Sequence, residues 1–577
     1  MAAVAMGLAL ASPAYAAQAD EDRFKLEIDE YLGRLGAGTK GAVKWDGSDG
    51  IAMREDGGAV VATIANGRIR IEEIGRIVFD KIVLRRAPKP GDDTRLVYEM
   101  ILPGQSVFTA EDGTTLKLTL KGGTATAQLD TRTKRAHESK LSITGARLEQ
   151  EKTGTWINIG TIDSATMLDI AGDGTWKAPG EVGLAGIEFF FPDGPIGGTV
   201  ERILYTVKSS GPDAAKLEQL RGQFDAVQKD DGRPPERRLA EILRLLPAVP
   251  AVFNELRGEF TVEGVAVRAV NGEKLVALRK AVMGGALDGL SGATATLRIA
   301  LGHEGLELSP SIVDPAKVPE RFVFDFGFED VATAPLRSLI EAAAKLNSDD
   351  ASEKAQATGQ MLGAAAMLAP VVRVYEAGVQ TKDVGIEATA TAKGSPLSPK
   401  GYSAEGDVLV RGFDALSALL GPVPGVDWLM LARELASEDK AADGTLLLKY
   451  HLASVPQKWL TLNGSDVGVW FGGAGGPEGQ RVLLPHDPPM QGNDVRAVQR
   501  ALTAVKLKVP QDGVYAAATA VAVARFQKQN GLDVTGAVDA ATRQKLPLKP
   551  EPKGKGVPDV KGGGGVPDAA KKPPPAR

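Results

Sequence analysis

Residues 59–74 read AVVATIANGRIRIEEI, an alternation of apolar and polar side chains with Asn66-Gly67 in its middle. A period of two sends every second side chain to one face of a strand, and Asn-Gly is the commonest signal for a tight hairpin turn. The design recurs in TTLKLTLKGGTATAQLDT around Gly122-Gly123, and with a longer turn in GIEFFFPDGPIGGTVERILYTV. Antiparallel strands with one wet face are therefore predicted from about residue 42 to 208. Helical spacing follows. Leu217, Leu220 and Phe224 recur at helical intervals within 213–229, and Leu239, Ile242, Leu243 and Leu246 do so within 235–256. Strands return in GEFTVEGVAVRAV, ATLRIALGHEGLELS and RFVFDFGFED. After them we expect helices to about 380, strands over 384–411, a helix near 413–437 and strands over 444–471. Segments 319–339 and 399–419 align with Pro319 on Pro399, Phe322 on Tyr402, Leu336 on Leu416 and Leu339 on Leu419, which suggests an internal repeat of strand then helix. The fold class expected is α+β: an elongated, mainly antiparallel β body over 18–471 with helices packed on it.

Composition narrows the chemistry. The 577 residues are 43% apolar and 24% charged, enough chain for several domains with real cores. There is no cysteine, which removes disulfides, thiolate nucleophiles and cysteine-ligated metals. An apolar run from Ala2 to Ala11 precedes Ala14-Tyr15-Ala16, a small-x-small cleavage pattern, so residues 1–17 are read as an export signal, although no Lys or Arg precedes Arg23. The other long apolar stretch, Met361 to Val372, is too short to span a bilayer and contains Pro370, so the mature chain is expected to lack a transmembrane segment. The net charge of −5 is unevenly spread. Residues 489–548 carry eight basic and four acidic side chains and residues 549–577 seven and three, so the last 89 residues are +8 and the rest −13. A basic end on an acidic, exported body points to an anionic surface rather than to nucleic acid. Residues 472–488, with GGAGGPEGQ and PHDPP, read as a linker. The Pro/Gly/Lys tail 549–577, which repeats Gly-Val-Pro-Asp, reads as disordered.

Residues 489–548 read as a small domain of their own. Asn493 is a candidate N-cap, and Val495, Val498, Leu502 and Val505 share one helical face. A turn at Gln511–Tyr515 leads to a second helix from about Ala517 to Asn530, with Val523 and Phe526 inward and Gly531 just past its end. Asp539 caps a third helix ending at Leu546. Gly492, Asp494-Val495, Val498-Gln499, Leu502, Asp512-Gly513, Tyr515, Thr519, Ala522-Val523, Phe526-Gln527, Gly531-Leu532, Gly536, Thr542 and Leu546 together resemble the three-helix peptidoglycan-binding domain family, type 1. Two positions depart from it: Lys506 and Ala516 stand where that family commonly has glycine. The resemblance covers about one tenth of the chain. It implies a three-helix bundle that docks on the bacterial cell wall, and a basic module suits the carboxylates of peptide stems. Arg496 and Arg525 as donors and Tyr515 as a stacking face are the candidate peptidoglycan contacts. Gln499 and Gln527 are expected to hold loop backbone groups, and Phe526 to lie in the core.

Catalytic patterns are sparse. A cysteine transpeptidase is excluded, and the four histidines, His137, His303, His451 and His486, are far apart in sequence. HEGLE at 303–307 lacks the second histidine of a zinc helix and lies in a strand pattern. Ser437-Glu-Asp-Lys440 and Lys152-Thr-Gly154 stand in the reverse of the penicillin-binding order. No cofactor and no metal is expected. The chain therefore reads as an exported cell-envelope protein, periplasmic or secreted, tethered to peptidoglycan and carrying a non-enzymatic binding or scaffolding body. Lipid or other envelope proteins are the further candidate partners. The alternatives are a peptidoglycan hydrolase with an unrecognised carboxylate pair and a periplasmic lipid-binding protein.

Overall fold

The computed structural model describes residues 21–34, 43–131, 135–228, 241–346, 351–394, 402–420, 427–467 and 481–548, apart from residues 243, 442–443, 456–457 and 485–488. The signal pattern, most of the linker and the tail lie outside these residues. The fold is α+β. The chain divides into two units: residues 1–422 with 436–463, and residues 423–435 with 464–577.

The first unit is built on one antiparallel meander. Val43–Gly47 and Ile51–Asp56 pair with Ala59–Ile71, and the sheet then grows by one rung at a time. Two rungs are broken strands: Asp92–Ile101 continues as Gln105–Ala110, and Thr115–Thr119 continues as Gly122–Asp130. Arg135–Gln150, Thr155–Met167, Trp176–Phe191 and Ile196–Gly211 follow, each paired to the one before. Helices are then inserted without changing the order. Glu255–Ala269 still pairs with Ile196–Gly211. Lys274–Asp288, Thr294–Glu304 and Arg321–Ala332 extend the meander, and Val371–Gln380 pairs with Arg321–Ala332 across a second helical insertion. Gly385–Gly394, Tyr402–Arg411 and, after a third insertion, Leu446–Val455 continue it.

Residues directly opposite each other in an antiparallel pair share a face, so pairing traces rows across the sheet. One row runs Val182, Tyr205, Phe260, Met283, Leu301, Phe324. The next runs Val207, Gly258, Gly285, Ile299, Phe326, and a third runs Leu256, Leu287, Leu297, Phe328. This face is apolar. The opposite face carries cross-strand ion pairs, among them Lys280–Glu263 at 3.2 Å, Arg298–Asp325 and Arg321–Glu376.

The apolar face is covered at its N-terminal end. Helix α1 (Glu21–Arg34) sets Phe24, Ile28 and Leu32 on Ala62, Leu84, Met100, Ala125 and Leu141, which form the main core. Farther along, the same face stays wet: Met283 is 62% and Ile299 55% exposed. The inserted helices are α2 (Ala214–Gln228) with the short α3 (Val249–Val252), α4 (Thr333–Lys345) with α5 (Ala351–Leu368), and α6 (Phe413–Leu420). Helices α2 and α3 close a small core of Trp176, Ala214 and Val252 at one strand end.

Two expected hairpin turns prove to be something else. Ala59–Ile71 runs straight through Asn66-Gly67, and Gly122 only restarts a strand that broke at Leu120-Lys121. Both lie on one transverse line. Pairing carries it through Gly145, Gly160, Gly186, Glu201, Gly264, Arg279 and Gly305. Asn66 and Gly145, Gly186, Gly264 and Gly305 are all left-handed, with φ between +49° and +65°. Such residues drop out of the ladder together with the residue opposite, so the register holds across the line while the alternation of faces shifts by one. Ala146 and Ile159 beyond the line thus share a core with Ile143 and Ile162 before it. Two further expectations are corrected. Residues 371–380 form a strand rather than the end of a helix, and Ser437–Lys440 is a strand paired to Leu446–Val455, not a helix end.

The second unit holds α7 (Asp427–Leu435), α8 (Asn493–Ala504), α9 (Ala517–Gln529) and α10 (Ala540–Lys545), the last three being the expected bundle. Gly492, not Asn493, is the N-cap of α8. Asp539 caps α10, its carboxylate accepting the Thr542 N–H at 2.8 Å.

Candidate functional site: a glutamine-braced module

Two short loops follow α8 and α9, and each is braced by one buried glutamine. In α8, Gln499 Oε1 accepts the Gly513 N–H at 2.8 Å, while Nε2 donates to the Val514 carbonyl, the Asp512 carboxylate and Thr519 Oγ1 at 2.9–3.2 Å. In α9, Gln527 Oε1 accepts the N–H groups of Thr535 and Gly536 at 2.9 and 2.8 Å. Its Nε2 donates to the Ala537 carbonyl and to Thr535 and Thr542 Oγ1 at 2.8–3.0 Å. A primary amide is the side chain that offers an acceptor and two donors from one plane, so it can replace a strand partner for a loop. Each loop also makes one antiparallel bridge, Gln491 to Val514 and Leu483 to Val538. The module is thus two copies of one device, a helix whose glutamine clips the loop that follows.

The helix ends repeat the pattern with one difference. α8 closes in a Schellman motif: Leu507 N–H donates to the Leu502 carbonyl and Lys506 N–H to Thr503, both at 3.0 Å. Lys506 is held at φ +68° in that motif. α9 ends with Gly531 at φ +65° in the corresponding place. The family preference for glycine at position 506 is therefore a backbone requirement. Ala516 sits at φ −83°, where glycine is not needed.

Of the three candidate contacts, two are on the surface. Arg496 is exposed on α8 and donates to the Asp512 carbonyl at 3.1 Å, beside the Gly513 loop. Arg500 is exposed one turn further along the same helix. Arg525 is exposed on α9 but is ion-paired with Glu434 of α7 at 2.6 Å. Tyr515 is not a stacking face. It is wholly buried, its hydroxyl donating to the Gly536 carbonyl at 2.7 Å, and burial pushes its ionisation far up. A ring with no exposed edge serves the core, tying the first loop to the second. Asp512 is held below the usual carboxylate range by the Val514 N–H and then by Gln499. It is an anion at any physiological pH, which makes this loop a mixed rather than purely basic surface.

Sequence reasoning missed Arg481. Its guanidinium pairs with the Asp494 carboxylate at 3.0 and 3.1 Å in the first turn of α8, where Asp494 is buried. Asp494 had stood out only as a family residue; its partner lies in a stretch with no pattern. The remaining motifs are dispersed. His303 stacks on Phe322, while Glu307 pairs with Lys274 at 2.5 Å. Ser437 and Lys440 lie exposed on a strand. Among the described residues no three His, Asp or Glu side chains converge as metal ligands, and no helix is long and apolar enough to cross a membrane.

Comparison with known families places this geometry. Residues 491–546 match the family described as "Putative peptidoglycan binding domain", which agrees with the resemblance carried by the motif residues. No curated protein and no solved structure matches the chain.

Proposed function

We propose that this is an exported cell-envelope protein, held on peptidoglycan by the module at 489–548, whose body binds or scaffolds rather than catalyses. The observation that carries the tether is the family match over 491–546, together with the first glutamine-clipped loop, which has Arg496 beside it, and Arg500 exposed one turn along the same helix. Peptide stems of peptidoglycan carry carboxylates, and guanidinium groups on a rigid helix are suited to bind them. The module's excess of basic over acidic side chains adds long-range attraction to an anionic wall. The export signal read at 1–17 is consistent with a periplasmic or secreted, wall-associated location.

Cosedimentation with purified sacculi tests this. The full chain should pellet with sacculi, and a chain ending at Pro485 should stay in the supernatant; equal pelleting would remove the tether. Arg496→Ala with Arg500→Ala should weaken pelleting more at 50 mM salt than at 300 mM, because screening already weakens exposed charge pairs at high salt. A zone of clearing by the full chain in a peptidoglycan gel would favour the hydrolase reading instead.

A further inference from the structure

We propose that the open apolar face of the body binds the hydrocarbon chain of a lipid, in a trough floored by Gly258 and Gly285. The inference deepens the binding role proposed for the body and does not depend on the wall tether.

Gly258 and Gly285 are direct partners on neighbouring strands. Phe260 and Met283 stand on one side of them and Leu256 and Leu287 on the other, two residues along the same strands and on the same face. The concavity holds about 600 Å³, within the roughly 300–1,000 Å³ of small-molecule sites. Of the side chains the strands direct into it, only Tyr205 carries a polar atom, a hydroxyl, and none is charged. Arg257 and Arg298 also border the concavity, but their strand positions send them to the other face, where they pair with Asp288 and Asp325. A ligand seated here finds apolar surface and almost no hydrogen-bonding group, which selects hydrocarbon over a polar solute.

Shape narrows the class. Strands lie about 4.8 Å apart and alternate residues about 7 Å apart along a strand. The floor is therefore one side chain wide, and a helix of roughly 10–12 Å diameter would bridge the walls without reaching it. A methylene chain fits between them. The glycines point the same way. Glycine weakens a strand interior and marks places where something approaches the backbone closely. Neither residue is left-handed. A Cβ on Gly285 would meet nothing nearer than 3.7 Å, and one on Gly258 nothing nearer than 3.4 Å. By contrast, a Cβ on Gly264 in the bend line would lie 2.2 Å from Glu201. Folding needs Gly264. It does not need Gly258 or Gly285, and what those two keep is open space on an apolar face. The face is also continuous with the part that α1 already covers with Phe24, Ile28 and Leu32, so these rows accept an apolar occupant where the chain itself supplies one.

The test uses the full chain, delipidated, and a 16-carbon fatty acid with a photoreactive group near its methyl end. Saturable binding, competition by unlabelled fatty acid and crosslinks within 256–260 and 283–287 are expected. Gly285→Leu fills the trough and should lower affinity at least about tenfold, the worth of one or two buried methylene groups, with the melting temperature unchanged or raised. Gly285→Ala should show an intermediate loss, and Met367→Ser, on an exposed position of α5, none. Unsaturable uptake, crosslinks elsewhere, or full affinity in a folded Gly285→Leu protein would overturn the proposal. So would a chain that sediments as a dimer which Gly285→Leu dissociates, since the face would then belong to a second copy. Crosslink mapping on the unaltered chain decides the matter even if a variant fails to fold. Sacculus cosedimentation of Gly285→Leu should match that of the unaltered chain, so either reading can fail without the other.

Discussion

The C-terminal module and the middle of the sheet treat apolar side chains in opposite ways. In the module, Val495, Val498, Leu502, Val523 and Tyr515 have no exposed surface, and Phe526 has almost none. In the sheet, Met283, Ile299 and Phe324 remain more than a third exposed. A domain of some 57 residues sits near the lower limit of independent stability and must bury nearly everything it has. The meander is under no such constraint. Each inner strand is hydrogen-bonded to two neighbours, so cohesion is approximately a sum of nearest-neighbour terms, as in a repeat protein. A face can stay open without the ladder coming apart. The exposed apolar rows are therefore a tolerated feature of the architecture, and their persistence over strand after strand is the observation that asks for an occupant.

Truncating one phenylalanine in each region is the sharpest test of this contrast. Phe526→Ala should cost about 3–5 kcal/mol, the range for a large aromatic removed from a closed core, enough to unfold the module and abolish sacculus binding. Phe324→Ala should cost under about 1.5 kcal/mol, because a ring already partly in water loses little transfer energy. Phe24→Ala, on the helix-covered end of the same sheet, should resemble Phe526→Ala. Thermal melts followed by circular dichroism would read all three. If Phe324→Ala were as damaging as Phe24→Ala, the face would be covered and the comparison would fail.

Next in size is the glutamine clip. Gln527→Ala strands the buried N–H groups of Thr535 and Gly536 together with their loop. At roughly 1–3 kcal/mol per unsatisfied buried group, part of which water can recover, the expected loss is about 2–4 kcal/mol. Gln499→Ala strands only the Gly513 N–H on the backbone donor side and should cost less. Tyr515→Phe follows, at about 1–2 kcal/mol, since it leaves the Gly536 carbonyl without its hydroxyl donor. Equal losses for Gln499→Ala and Gln527→Ala would mean that the number of stranded N–H groups does not set the cost.

Much of this was legible in the residues because the information is local. Period-two alternation over 42–208 gave strands, and helical spacing with the Gly531 stop and the Asp539 cap gave α8 to α10. The failures have a common cause in long-range geometry. Asn66-Gly67 and Gly122-Gly123 carry the residues of hairpin turns, but neighbouring strands place them at one transverse bend line; of the four only Asn66 is left-handed, and pairing runs on in register past both sites. The bend also breaks strict alternation, so Ile159 and Ile162 appear on opposite faces in sequence yet share a core. Val371–Gln380 was read as helix because an alanine-rich run precedes it and a bulge at Tyr375 interrupts its period. Tyr515 lies beside a glycine turn, which suggests exposure; it is wholly buried, and its hydroxyl is tied to Gly536, 21 residues away. Arg525 meets Glu434 across 91 residues, a partner no local pattern announces. The trough was not visible either, since it depends on which glycines face each other across strands.

The smallest effect expected is a gain. Lys506 and Gly531 occupy the same left-handed position after successive helices, at φ +68° and +65°. An L-residue there suffers a contact between Cβ and carbonyl oxygen worth about 1–2 kcal/mol, and glycine gives back part of the relief through its larger unfolded-state entropy. Lys506→Gly should therefore stabilise the module by about 0.5–1 kcal/mol, a shift of several degrees in the melt of so small a domain. Gly531→Ala should do the reverse. Nothing lies within 4 Å of a Cβ at Gly531, so any loss there would come from backbone strain alone. The pair also separates stability from binding. Lys506 contributes a positive charge to a module proposed to meet an anionic wall, so Lys506→Gly should raise the melting temperature while slightly weakening cosedimentation at low salt. Should both fall together, the left-handed turn would not be the reason that family members carry glycine there.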